Sequence, residues 1–290
     1  MPVDIYLNVA VSGLLTGLIY GLSALGLSVI FGVIRIVNFA HGEMMVAGMF
    51  MSLVLFRWLG IDPLVSIPIV AAALFVFGYL LQDLVVRRVA HLADHMQFLL
   101  MAAIGVVLVS ASLMLFGPDA QGARVAYAYD SFGLGPLIVD KVRLYGGIAA
   151  LIVSTALFAF FRYTATGTAI RACADNYTGA RVVGLNVRRL FALTFAIGSA
   201  CLGAAGAILL LLIDVNPYIG PSFTLVGFIV VIVGGMGSLP GAMLGGILIG
   251  VSESLAGLVL QPSFKIGFTF ALLILVLLLR PPGLLGKARQ

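Results

Sequence analysis

The chain has 290 residues, of which 62% are hydrophobic and only 9% are charged, with 16 Lys and Arg against 11 Asp and Glu. A soluble domain carries about 25% charge, and so few charges could not cover a soluble surface without leaving large apolar patches. The composition reads as membrane-spanning. It excludes a disordered chain, a disulfide scaffold and, because the net charge of +5 is thinly spread, a nucleic-acid binder.

A helix rising 1.5 Å per residue needs about 20 apolar residues to cross a hydrocarbon core of about 30 Å. Runs free of Asp, Glu, Lys and Arg at 5–34, 63–82, 96–118, 144–161 and 190–213 each predict one span. They lack the alternation of a membrane barrel, so each is expected to satisfy its own backbone as helix. Two shorter runs, 44–56 and 266–279, are expected to extend past Glu43, Arg57 or Lys265 by snorkelling. The 38 uncharged residues 215–252 would make a helix of about 57 Å and must break or turn. Gly234-Gly235-Met236-Gly237-Ser238-Leu239-Pro240-Gly241 is the place for it.

The expected fold is an all-α integral membrane protein: one transmembrane domain, 1–290, forming a polytopic bundle of about nine segments (about eight to ten), some broken or re-entrant. The first 34 residues lack Lys and Arg and do not resemble a removable signal peptide. With the amino terminus outside and the carboxyl terminus in the cytoplasm, five basic residues fall outside: Arg57, Arg124, Lys141, Arg143 and Lys265. The other eleven then fall inside, as the positive-inside rule favours. The main polar stretches are an outer loop, 119–143, and an inner loop, 162–189. Cys173 lies among charged residues and Cys201 in an apolar run, so both are expected free.

Small residues recur at Gly13, Gly17 and Gly21, at Gly241 and Gly245, and at Gly246 and Gly250. This spacing serves close packing within one bundle or a face for a partner helix. Asn38, His41 and Glu43 stand between two apolar runs, where ionisable groups either sit at the inner interface near Arg35 or face a pathway. His41 and Glu43 are two apart and point to different faces of a helix, although a backbone bent at Gly42 would bring them together. Phe39-Ala40-His41-Gly42-Glu43-Met44 and Leu239-Pro240-Gly241-Ala242-Met243 share a helix-breaking Gly followed by Met. Paired helix breaks of that kind point to a transport site. Gly237, Ser238 and Pro240 are therefore path candidates, as is Glu253, which is deep in its run.

The inner loop carries Arg171-Ala172-Cys173-Ala174-Asp175-Asn176 and then Gly184-Leu185-Asn186. It predicts short helices with an apolar stripe at Ala174, Val182 and Leu185 and a turn at Gly184. Such a loop is either a solvated topogenic segment or a docking surface for a cytosolic partner. No catalytic set is apparent. Every Lys lacks the Ser or Thr that ends a phosphate-binding loop, so any ATP is spent elsewhere. Gly235-Met236-Gly237-Ser238 is not a nucleophile elbow. His91 and His95, four apart beside Arg87 and Arg88, read as an ordinary loop rather than a metal site.

Ala24-Leu25-Gly26-Leu27, Val37-Asn38-Phe39-Ala40-His41-Gly42-Glu43, Arg171-Ala172-Cys173-Ala174-Asp175-Asn176, Asn216-Pro217-Tyr218-Ile219-Gly220, Gly234 to Ala242 and Leu279-Arg280-Pro281-Pro282-Gly283-Leu284 occur in this order. Together they resemble a LivH-type permease of the branched-chain amino-acid ABC importers, over nearly the whole chain. The resemblance implies a subunit of the bacterial inner membrane, surrounded by lipid and paired with a second, homologous permease. Two cytosolic ATP-binding subunits, which would hold the ATP and Mg, and an extracytoplasmic substrate-binding protein complete the machine; the chain itself holds no cofactor or metal and binds no nucleic acid. Arg171, Ala172, Cys173, Ala174, Asp175, Asn176 and Gly184 are then similar to a coupling segment that docks on an ATPase. Relatives resembling importers of urea or short amides keep the solute open. The rival class is an ion-coupled secondary transporter using Glu43, His41 or Glu253.

Overall fold

The computed structural model describes residues 3–89, 93–135, 137–259 and 264–286. Helix α1 (Val3–Ile34) ends where Arg35 takes a left-handed φ of 64° and turns the chain. Helix α2 (His41–Leu59) is stopped by Gly60, also left-handed, whose N–H caps Phe56. Two residues later the Asp62 side chain accepts from Leu64 N–H and opens α3 (Pro63–Leu81), with Pro63 at its first position. The α3 rod continues through a π turn (Gln82–Val86) into the short α4 (Arg87–Val89).

Helix α5 (Asp94–Phe116) leads into the 119–143 loop, which holds an antiparallel hairpin of β1 (Ser131–Leu134) and β2 (Leu137–Asp140). This pair departs from the all-α expectation: Gly135 at φ 66° supplies a tight reversal between two short runs. Helix α6 (Lys141–Tyr163) returns to the inner loop. There, side-chain caps start three helices in succession: Thr164 caps α7 (Ala165–Asp175), Asn176 caps α8 (Tyr177–Val182) and Asn186 caps α9 (Val187–Leu209). Helices α10 (Gly220–Gly234), α11 (Leu239–Val259) and α12 (Lys265–Leu279) complete the chain, with the expected break at 235–238.

Among the described residues, seven helices are long and apolar enough to cross a membrane, and Gly220–Gly234 and Gly267–Leu279 are shorter apolar helices. Helices α1 and α9 form the centre, and most of their residues are buried. Gly13, Gly17 and Gly21 of α1 meet Gly250, Gly246 and Met243 of α11 in antiparallel order. The small-residue stripe is thus filled within the chain, so it is not a free face for a partner helix. Gly78 against Ser199, and Gly203 against Val70 and Leu74, seat α9 antiparallel to α3 in the same way.

These directions gather one set of ends. The end of α1 at Arg35, the end of the α3 rod and the 162–189 loop lie together, and Gly237 of the α10–α11 turn packs on Gly32. The segment 281–286 closes this end, with Leu284 and Leu285 N–H donating to the carbonyls of Val233 and Gly234 at 2.8 and 3.0 Å. At the opposite end Arg57 bonds Gln121, Lys141 pairs with Asp130 and Arg143 with Asp140. There the Tyr127 hydroxyl donates to both oxygens of Asp62 at 2.8–2.9 Å, and burial followed by this carboxylate raises the phenol above its ordinary pKa.

Candidate functional site

Asn38 and Arg35 shape the break between α1 and α2. The Asn38 Oδ1 accepts Ala40 N–H at 3.0 Å and its Nδ2 reaches the Met44 sulfur at 3.5 Å, so the turn satisfies its own amide. Helix α2 then starts at once with His41, inside the protein rather than at its surface. Gly42 lies so close to α10 that a Cβ would fall on the Gly220 carbonyl, and its N–H donates to Thr224 Oγ1 at 2.9 Å. The Thr224 hydroxyl in turn donates to Glu43 Oε2 at 3.4 Å.

Glu43 sits in a notch made of glycine. A Cβ on Gly220 of α10 would stand 3.1 Å from its carboxyl carbon, and one on Gly105 of α5 would stand 3.5 Å away. The first turn of α2 and the first turn of α10 both bring helix N-terminal dipoles to this carboxyl group. His41 points the other way, at Gly227, where a Cβ would come 2.7 Å from Nε2. Its ring is fully buried and neither nitrogen has a hydrogen-bond partner. Phe39 fills the remaining corner, 4.3 Å from the Phe98 ring centre and 5.1 Å from that of Phe228. The break is therefore a junction of α2, α5 and α10. Because α2 is regular from His41 onward, His41 and Glu43 diverge and do not share a ligand position.

The other path candidates lie elsewhere. Gly237, at φ 79°, and Ser238, whose Oγ accepts Gly241 N–H at 3.2 Å, form the turn before α11, with Pro240 in its first turn. Thr224 stands ten residues, about 15 Å of helix rise, before Gly234, so this turn is separate from Glu43. Glu253 lies against the Tyr20 hydroxyl across the α1–α11 seam. The residues missed in sequence are Gly220, Thr224 and Gly227. Their i, i+4, i+7 spacing marks one face of α10 and was the available signal.

In the inner loop, Arg171, Ala172, Asp175, Asn176 and Gly184 are exposed, and Ala174 is half-buried. Cys173 faces inward beside the buried Ile170 and Ala180, and burial pushes its thiol above the ordinary pKa. Both Cys173 and Cys201 are free thiols. The predicted stripe fails at Val182, which is 82% exposed, while Ala174 and Leu185 are half-buried. Asn176 ends α7 and restarts the chain as α8, which resets the periodicity on which that stripe relied. Gly184 at φ 84° makes the expected turn. His91 lies outside the described residues, so the His91–His95 pair has no geometry here.

Comparison with known proteins gives a consistent picture. The family described as "Branched-chain amino acid transport system / permease component" matches residues 9–277. The high-affinity branched-chain amino acid transport system permease protein LivH of Salmonella typhimurium and that of Escherichia coli are each 34% identical, over 97% of this chain and 96% of their own. BraD of Pseudomonas aeruginosa, a permease protein of the same description, is 31% identical over the same shares. A chain of PsaBC from Streptococcus pneumoniae, solved in complex with Fab, aligns over 92% of this chain and 90% of its own at 13% identity and a TM-score of 0.41.

Proposed function

Because this chain belongs to the permease components of branched-chain amino acid transport systems, we propose that it is the membrane-spanning half of an ATP-driven importer, paired with a second permease. It is a multi-pass protein of the bacterial inner membrane. On this reading two cytosolic subunits bind and hydrolyse ATP, an extracytoplasmic receptor delivers the solute, and the solute is a branched-chain or closely related amino acid. On the same reading the seven long and two shorter apolar helices among the described residues all cross the membrane, which would leave the termini on opposite sides with the carboxyl terminus in the cytoplasm. The clustering of Arg35, Arg87, Arg88, Arg162, Arg171, Arg181, Arg188 and Arg189 at one end supports that orientation.

The observation that carries the coupling assignment is the inner loop. Three side-chain caps fix the starts of α7, α8 and α9, and Arg171, Ala172, Asp175, Asn176 and Gly184 are left open to a partner. A solvated topogenic loop needs the charge but not the caps. Transport then requires a two-state motion to pass from this loop into the spans. The Glu43 notch, where three membrane helices meet at glycines, is the part of the bundle suited to line or gate the path.

Asp175→Arg together with Gly184→Trp tests the assignment. Both positions are exposed, but Trp at the left-handed Gly184 also strains the turn before α9, so membrane insertion and yield are measured beside the expected loss of ATPase docking and amino-acid uptake. Normal uptake would show that the loop does not couple.

A further inference from the structure

Arg188 is the first arginine past the last turn of the inner loop, two residues after the capping Asn186 and four after the left-handed Gly184. Its guanidinium grips Asp83 with a two-pronged contact, Nε to Oδ1 and Nη2 to Oδ2, both 2.7 Å. Asp83 lies in the π turn Gln82–Val86, where the hydrogen-bond register of the α3 rod is widened by one residue. Beside it Gln82 is buried with its Oε1 unpartnered. A cavity of about 40 Å³, lined by Gln82, Asp83, Arg87, Arg188 and Phe191, adjoins the contact. This recess opens to the surface beside the exposed side chains of Arg87 and Arg188, so the turn is not enclosed on every side as the core is.

Further into the bundle there is no such slack. Gly78 meets Ser199, and Gly203 meets Val70 and Leu74, at distances that leave α3 and α9 no room to slide independently. The Arg–carboxylate fork fixes orientation as well as separation, whereas an exposed ion pair adds little to stability. The contact is thus suited to carry displacement rather than to hold the fold.

We propose that Asp83 and Arg188 form a clasp that passes motion of the 162–189 loop to α3, with the π turn as the compliant joint. This inference rests on the ATP-coupled reading above. Arg188 and Asp83 are positioning residues: they touch neither the solute nor the nucleotide and tie the end of the α3 rod, beyond the glycine-packed seam, to the start of α9 where the loop leaves off. Arg87, 3.9 Å from Asp83 on the same rod, cannot substitute, because it moves with Asp83.

The test uses the whole complex, purified with its native partner subunits and reconstituted in liposomes with the soluble receptor and radiolabelled leucine. The readout is leucine moved per ATP hydrolysed. Asp83→Asn and Arg188→Gln are each expected to lower this ratio by at least about fivefold, the low end of coupling between sites. The double variant is expected to fall no further than either single one, as for two residues acting as one unit. Asp83→Glu, which keeps the carboxylate, is expected to recover most of the ratio, and Arg188→Lys, which keeps the charge without the fork, to lie between. A merely structural role would lower the yield of assembled complex and leave the ratio unchanged. Unchanged ratios, or losses that multiply in the double variant, overturn the clasp. If the neutral variants do not assemble, Arg188→Lys carries the same test, and a wild-type ratio there overturns it. A wild-type complex that moves none of leucine, isoleucine and valine with ATP overturns the branched-chain importer reading itself, before any variant is compared.

Discussion

Gly42→Ala probes the junction on which the candidate site depends. In an isolated helix the change would be favourable by up to about 1 kcal/mol, because alanine loses less backbone freedom than glycine on folding. At this position the added methyl falls on the Gly220 carbonyl oxygen and 2.7 Å from Thr224 Oγ1. The obstacle is backbone, so α2 and α10 must separate, at a cost of about 1–3 kcal/mol for overpacking. Separation also breaks the 2.9 Å bond from Gly42 N–H to Thr224, and a buried unpaired donor costs a further ~1–3 kcal/mol. The net expectation is a destabilisation of about 1–5 kcal/mol. Gly267→Ala in α12 is the matched control: nothing lies within 4 Å of its added Cβ. That control should be neutral or more stable by up to about 1 kcal/mol. Reversible unfolding in mixed micelles of increasing SDS fraction, followed by circular dichroism, gives both values. A Gly42→Ala protein at least as stable as wild type would refute the close approach of α2 to α10.

Two further outcomes can be checked at the ends of the bundle. Asp62→Ala removes the cap on Leu64 N–H and both bonds from Tyr127, and is expected to cost about 1–3 kcal/mol. Hydrogen exchange should then quicken at the start of α3 and around Tyr127 together; quickening at only one would show that Asp62 does not join them. Cys173 carries a thiol whose pKa is raised by burial, so less of it is thiolate at neutral pH than for a free cysteine. Maleimide labelling of the native protein should be slow at pH 7 and rise roughly tenfold per pH unit until the raised pKa is passed. Fast labelling at pH 7, read by peptide mass, would show that α7 does not pack as described.

The spans were legible because long uncharged runs have one physical solution in hydrocarbon. The break at 235–238 was legible for the complementary reason: a helix of that length has nowhere to go, and four glycines with a proline between 234 and 241 mark the turn. Caps at Thr164, Asn176 and Asn186 divide the inner loop into separate helices, so a stripe drawn through Ala174, Val182 and Leu185 as one period failed at Val182. The glycine stripes were visible, but spacing alone does not say whether a stripe is filled from within or from without; α11 fills that of α1.

The candidate site was half visible. Asn38, His41 and Glu43 drew notice as polar groups in an apolar setting, but their partners are glycines and a threonine about 180 residues away on α10, and such residues carry no charge signal. Asp83 and Arg188 escaped for a related reason. Each is an ordinary charge near a span end, and only the antiparallel seat of α3 against α9 brings them together.

The order of synthesis gives the capping of α10 by Leu284 and Leu285 another meaning. The carbonyls of Val233 and Gly234 belong to a hairpin made some fifty residues before Leu284 and Leu285, whose N–H groups satisfy them. While the chain is still growing, these acceptors must be met by water or lipid headgroups, since helix-end carbonyls have no partners within their own helix. The α10–α11 hairpin therefore reaches its final form only once residues 281–286 have been made and fold back onto it. A premature stop before Pro281 would leave every span in place and still yield a bundle whose helix break at 235–238 is never closed.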